Sequence, residues 1–287
     1  MNTLLAVDGS DSSYEAVRSL KYLARADRLV LLHVLNVPRP AYPMMMPEVA
    51  DELYKTLERS MREDGDRLLD RMQSLLPLHA GPVTKQLESG SPAEIIVTTA
   101  KDQRIDLIVM GARGLGPIKE RLLGSVSHRV LTFASCAKLI VKEPVKTMKN
   151  VLLPLEGPYD FEAALRFLQL QPFHDPIELS LLAILPSVRP PWPVDTAAAE
   201  QMESRGLQSA RDFIEDAATR IQGLGYRARG HAVLGVPAEM ILLEAGRSHT
   251  DLILMGSRGR QGITRFFLGS VSHAVLHQMP CAVLVFP

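Results

Sequence analysis

Cysteine is scarce in this chain: Cys136 and Cys281 are the only two among 287 residues, too few for a disulfide framework. That scarcity fits a reducing compartment, and the cytoplasm is the expected location. Net charge is missing as well. Lysine plus arginine and aspartate plus glutamate both number 32, which argues against a generic nucleic-acid or anionic-membrane partner. No apolar run approaches the ~20 residues that span a bilayer. The opening "MNTLLAVDGSDSS" lacks the basic start and apolar stretch of a signal peptide. No Gly-x-x-x-x-Gly-Lys-Ser/Thr loop occurs, and no His/Cys/Asp spacing suggests a metal site.

What is present is a repeat. The composition, 46% hydrophobic and 22% charged, is that of a globular protein, and the length suits two domains. "GSPAEIIVTTAKDQRIDLIVMGARG" from Gly90 aligns without a gap with "GVPAEMILLEAGRSHTDLILMGSRG" from Gly235. Downstream, "SVSHRVLTFASCAKLIV" matches "SVSHAVLHQMPCAVLVF"; upstream, "TLLAVDGS" from Thr3 matches "VLLPLEGP" from Val151. Two long copies make two domains of one fold rather than a solenoid, and the expected division is 1–145 and 146–287.

Short apolar runs alternate with helical patterns in both copies. "TLLAV", "RLVLLHVL", "PVTKQLES", "DLIVM" and "CAKLIV" read as strands of the first copy. "VLLPL", "ELSLLAIL", "RARGHAVL", "DLILM" and "CAVLVF" read as those of the second. Ser91, Pro92 and Glu94 form a capping-box signature before a helix. The predicted fold class is α/β: two repeated doubly wound domains, each with a five-stranded parallel sheet flanked by helices. Ligands of such sheets sit beyond the carboxyl ends of the strands, where the winding reverses.

"GARGLGPIKERLLGSVSH" from Gly111 and "GSRGRQGITRFFLGSVSH" from Gly256 occupy that place in each copy. Glycine lets a ligand lie against the backbone. Gly124 and Ser125 open a helix whose first amides lack intrahelical acceptors and carry the positive end of its dipole, which suits phosphate. Arg113, Lys119 and Arg121 add positive charge, as do Arg258, Arg260 and Arg265 in the second copy. The plainer alternative is an ordinary turn in which Ser125 caps its helix.

Gly-x2-Gly-x9-Gly-Ser after "DLIVMG", combined with "AVDGS", resembles the universal stress protein family in its tandem form. The resemblance covers essentially the whole chain, twice. It implies ATP binding, with or without Mg2+, and pairing of the two domains through their last strands, inside one chain or in a homodimer. It also implies roles for individual residues. Asp8 would hold the ribose or adenine side, Val34 would line the base pocket, and Met110 and Gly111 would lie beneath the ribose. Gly114, Gly124, Ser125, Val126 and Ser127 would wrap the phosphates. In the second copy the corresponding positions are Glu156, Ile184, Met255, Gly256, Gly259, Gly269, Ser270, Val271 and Ser272. Glu156 replaces the aspartate and Pro158 replaces Ser10, so the second site departs from the pattern.

No activated nucleophile or general base stands beside the glycine loop, so hydrolysis of ATP is expected to be slow or absent. His33, His128, His273 and both cysteines read as packing or surface residues. The run Met44–Met46 reads as a flexible loop. Two other functions remain open at this stage. One is a nucleotide-free interaction or chaperone-like module. The other is an adenylating enzyme of the ATP-pyrophosphatase type, which requires Ser-Gly-Gly-x-Asp-Ser where this chain has "DGSDSS".

Overall fold

The leucine-, isoleucine- and valine-rich runs of the first half become β1 (Asn2–Val7), β2 (Arg28–Leu35), β3 (Val83–Ser89), β4 (Leu107–Gly111) and β5 (Ala137–Val141). Between them lie α1 (Asp11–Ser19), α2 (Pro47–Ser74), α3 (Pro92–Asp102) and α4 (Ser125–Phe133). The computed structural model describes residues 1–38, 46–114, 123–186, 196–257 and 268–287. The chain divides into two units, one drawn from most of Met1–Lys142 and the other from Glu143–Pro287.

All strand pairs within the first unit are parallel, in the order β3-β2-β1-β4-β5. Helices cover both faces of the sheet, which explains the unbroken apolar character of the central strands. Leu4, Leu5, Leu31, Ile108, Val109, Leu139 and Ile140 are completely buried. Right-handed crossovers carry the chain outward from β1 to β3 and then back to β4 and β5, so α1 and α2 cover one face and α3 and α4 the other. The winding reverses between β1 and β4. The turn after β1 and the loop after β4 therefore diverge and leave a crevice at the carboxyl edge.

The second unit repeats the plan with β6 (Asn150–Leu155), β7 (Glu178–Leu185), β8 (Arg227–Leu234), β9 (Leu252–Gly256) and β10 (Ala282–Phe286). Its helices are α5 (Pro158–Gln169), α6 (Thr196–Gln222), α7 (Pro237–Arg247) and α8 (Ser270–Gln278), and its strand order is β8-β7-β6-β9-β10. One difference arises at its reversal point. In the first unit β1 and β4 stay paired from Thr3↔Leu107 to Ala6↔Met110. In the second, β6 and β9 pair only at Val151↔Leu252 and Leu152↔Ile253. Pro154 stands where Ala6 does and has no N–H for the ladder, so the pairing ends before it.

The helix starts deserve comparison with the sequence. Ser91 takes the extended backbone of an N-cap with Pro92 next, but its hydroxyl makes no capping hydrogen bond. Gly124, not Ser125, is the N-cap of α4, so Ser125 is that helix's first residue. Of the Met44–Met46 run, only Met46 lies among the described residues, as the exposed N-cap of α2.

Candidate functional site

The turn after β1 is built around Asp8. Gly9 has φ of +83°, a region that glycine enters without a Cβ penalty. This bend returns the chain so that the Ser10 amide donates to Asp8 Oδ1 at 3.0 Å, with the Ser10 hydroxyl 2.6 Å from the same oxygen. Ser10 then caps α1, its oxygen accepting from the Ser13 amide at 3.3 Å. Asp8 Oδ2 accepts no hydrogen bond among the described residues and faces the loop across the crevice.

That loop is fastened from below. The Ser12 hydroxyl donates to the Arg113 carbonyl at 2.5 Å, and the Arg113 amide lies 3.3 Å from the same hydroxyl oxygen. A Cβ on Gly111 would stand 2.5 Å from Ser12 Oγ and 2.8 Å from the Ser13 amide nitrogen, so Gly111 lets α1 approach β4. Its glycine identity serves helix–strand packing. A Cβ on Gly114 would instead stand 2.6 Å from Asp8 Oδ2, on the crevice side.

Gly124 closes the loop, its amide donating to the Ala112 carbonyl at 2.8 Å. The next three residues begin α4, and the amides of Ser125, Val126 and Ser127 have no acceptor among the described residues. Three of the family-implied donors are thus available, whereas the Gly124 amide is committed to the loop. The Ser127 hydroxyl is committed as well: it is buried and donates to the Gly111 carbonyl at 2.9 Å, with the Ala112 carbonyl at 3.1 Å. The Ser125 side chain is exposed. Val34 is half-buried near the end of β2, and Met110 is buried one residue before Gly111. The structure therefore gathers Asp8, Gly111, Gly114 and the Ser125–Ser127 amides at the strand reversal. Sequence reading missed Ser12, although it lies in the quoted "DGSDSS", and singled out Ser10 only as the position that Pro158 replaces.

The second unit keeps the lower half of this arrangement. The Gly269 amide donates to the Ser257 carbonyl at 2.9 Å, and the buried Ser272 hydroxyl donates to the Gly256 carbonyl at 2.8 Å. Ser270, Val271 and Ser272 open α8, while Met255 and Ile184 occupy the places of Met110 and Val34. Gly259 lies outside the described residues, as do Lys119, Arg121, Arg258, Arg260 and Arg265.

The upper half differs. Pro158 cannot supply the amide that Ser10 gives to Asp8, and Gly157 is extended at φ 171°. Glu156 is exposed, and its own amide donates to Asp160 Oδ2 at 3.2 Å. Asp160 occupies the position of Ser12, and a Cβ on Gly256 would stand 3.1 Å from its Oδ1. Burial raises the Asp160 pKa to about 6; the Glu156 amide opposes this rise and the Glu156 charge adds to it. Carrying the alignment of "TLLAVDGS" two residues further would have set Asp160 against Ser12.

The remaining candidates offer no reactive group. His33 Nδ1 is 2.7 Å from the Val7 carbonyl oxygen, as a packed histidine would be. Burial raises the Cys136 thiol and pushes Cys281 up to about 12, so neither is a ready thiolate. Among the described residues, no group of three or more His, Cys, Asp or Glu is placed to hold a metal ion, and no helix is long and apolar enough to cross a membrane.

This geometry accompanies a clear kinship. A family model described as "Universal stress protein family" matches residues 1–142 and again 147–287. The universal stress protein YxiE of Bacillus subtilis is 30% identical over 144 residues, covering 48% of this chain and 97% of the relative. A universal stress protein of Mycobacterium tuberculosis is 25% identical over 307 residues, covering 99% of this chain and 96% of the relative. The crystal structure of a universal stress protein from Archaeoglobus fulgidus matches with a TM-score of 0.66 at 21% identity, over 99% of this chain and 97% of that one, a likeness in fold. With the same model matched twice, by halves that share one strand order, the chain belongs to the universal stress protein family in its tandem form.

Proposed function

We propose that the first unit binds ATP and that the protein is a cytoplasmic, nucleotide-responsive regulator rather than a catalyst. The observation that carries this reading is the pairing of two unsatisfied groups across one crevice. The Ser125, Val126 and Ser127 amides offer donors and a helix dipole to a polyphosphate. Asp8 Oδ2 offers an acceptor to a ribose hydroxyl, while its sister oxygen is held by Ser10. Val34 supplies the apolar wall for the base, and Met110 lies beneath the ribose. The absent Cβ of Gly114 leaves room for Asp8 Oδ2 beside the loop.

The fit is to a nucleotide rather than to a bare phosphate, because the carboxylate would repel an anion that brought no hydroxyl. Mg2+ would arrive with the triphosphate. Ser10 and Ser12 hold Asp8 and the loop in place, and Ser127 braces the loop from inside α4. None of these groups is set up to deprotonate water, so turnover is slow or absent. Regulation follows if nucleotide prefers one conformation or one partner-bound state over another.

Mass spectrometry of gently purified protein tests the reading. Co-purified ATP, together with saturable ATP binding by calorimetry, supports it. Absence of both leaves the nucleotide-free interaction module as the better account. Release of pyrophosphate on addition of an acceptor would favour an adenylating enzyme.

A further inference from the structure

The two crevices share a floor but differ in what stands beneath the glycine loop. In the first unit a neutral hydroxyl, Ser12 Oγ, sits against Gly111 and bonds the Arg113 backbone. In the second a carboxylate takes that place, with Asp160 Oδ1 against Gly256. The Gly256 carbonyl also receives the Ser272 hydroxyl from the first turn of α8, so Asp160 and the start of α8 both touch the same residue. We infer that Asp160 is the specificity determinant that closes the second unit to polyphosphate, so that one chain takes up a single ATP.

The physical argument is one of placement, not of total charge. Glu156 and Asp8 carry the same charge, and Asp11 of the first unit is matched by Tyr159 in the second. Asp11 is exposed on the outside of α1, however, whereas Asp160 is half-buried and turned toward β9. A charge there acts through a medium of low effective permittivity on any phosphate held at the α8 amides. Among the described residues, its neighbours are the Glu156 amide, Gly256 at the end of β9 and, at the same contact, Phe286 on β10. Arg258, Arg260 and Arg265 lie outside the described residues. Two further differences act in the same direction. Pro158 removes the amide that would orient a ribose-binding carboxylate, and Pro154 ends the β6–β9 pairing before the crevice.

The inference rests on ATP binding by the first unit, and calorimetry with Mg-ATP at pH 7.5 separates the two claims. Wild-type protein is expected to bind one equivalent. Asp160→Ser and the near-isosteric Asp160→Asn are expected to acquire a second site, at least tenfold stronger than any residual binding there in the wild type. The undisturbed first site reports that each variant is folded. Two equivalents of similar affinity in the wild type would overturn the inference while leaving nucleotide binding intact. One equivalent in both variants would also overturn it. No binding at all in the wild type would remove the functional reading and this inference together.

Discussion

Asp8 Oδ2 lies 2.6 Å from the point where a Cβ would stand on Gly114, so the turn after β1 and the loop after β4 meet at a carboxylate. A side chain at 114 would have to displace the Oδ2 end of Asp8, a half-buried group at the end of a short side chain. Folding should hardly register the change, while the ribose acceptor would be moved aside. Gly114→Val is therefore expected to lower ATP affinity by more than tenfold with stability changed by less than about 0.5 kcal/mol. Calorimetry and urea unfolding read the two quantities separately.

Gly111 should give the opposite result. Its missing Cβ faces the Ser12 and Ser13 backbone, which cannot swing away without moving the start of α1. Gly111→Ala overpacks that contact and is expected to cost about 1–3 kcal/mol of stability. Urea midpoints measure the loss. A loss of affinity without a loss of stability would place Gly111 on the ligand side of the loop instead.

Removing the carboxylate itself isolates its contribution. Asp8→Ala deletes a charged acceptor for a hydroxyl, expected to weaken ATP binding by about 1.5–3 kcal/mol. Because Asp8 also receives the Ser10 amide, Asp8→Asn is the cleaner comparison: its carbonyl keeps that bond while an NH2 group replaces the charged acceptor offered to the ribose. Binding of ATP but not of inorganic triphosphate should suffer, since only the nucleotide carries a ribose. Unchanged ATP affinity in Asp8→Ala would take this residue out of the site.

Strand order and the position of the crevice were legible in the sequence because burial on both faces leaves unbroken apolar runs, and glycines mark where a loop must pass close to something. What a glycine passes close to was not legible. Gly111 and Gly114 look alike as letters, yet one faces the α1 backbone and the other a carboxylate. Ser127 carries a hydroxyl in a phosphate-like motif, but its rotamer is set by two loop carbonyls that only the folded turn brings beneath it. Ser91 and Glu94 satisfy a capping signature that the structure leaves without its side-chain bond. Asp160 escaped notice because the upstream repeat was read only as far as Pro158, two residues short of it.

Asp160 also makes stability depend on pH in a direction unusual for a carboxylate. Burial raises its pKa from 3.8 to about 6 in the folded protein, so the folded state binds this proton more tightly than the unfolded chain does. Between those values unfolding releases a proton, and raising the pH through this window lowers stability. Below about pH 4 the group is protonated in both states and imposes no penalty; above about pH 6 the penalty is complete. The full shift would correspond to about 3 kcal/mol, and the partial exposure of the side chain reduces this to about 1 kcal/mol. Asp160→Asn keeps an oxygen for the Glu156 amide and cannot ionise. It is expected to raise the urea midpoint of the second unit at pH 7.5 and to leave it unchanged near pH 4. Equal midpoints for the wild type and Asp160→Asn at both pH values would mean that burial imposes no penalty on the ionised carboxylate and does not raise its pKa.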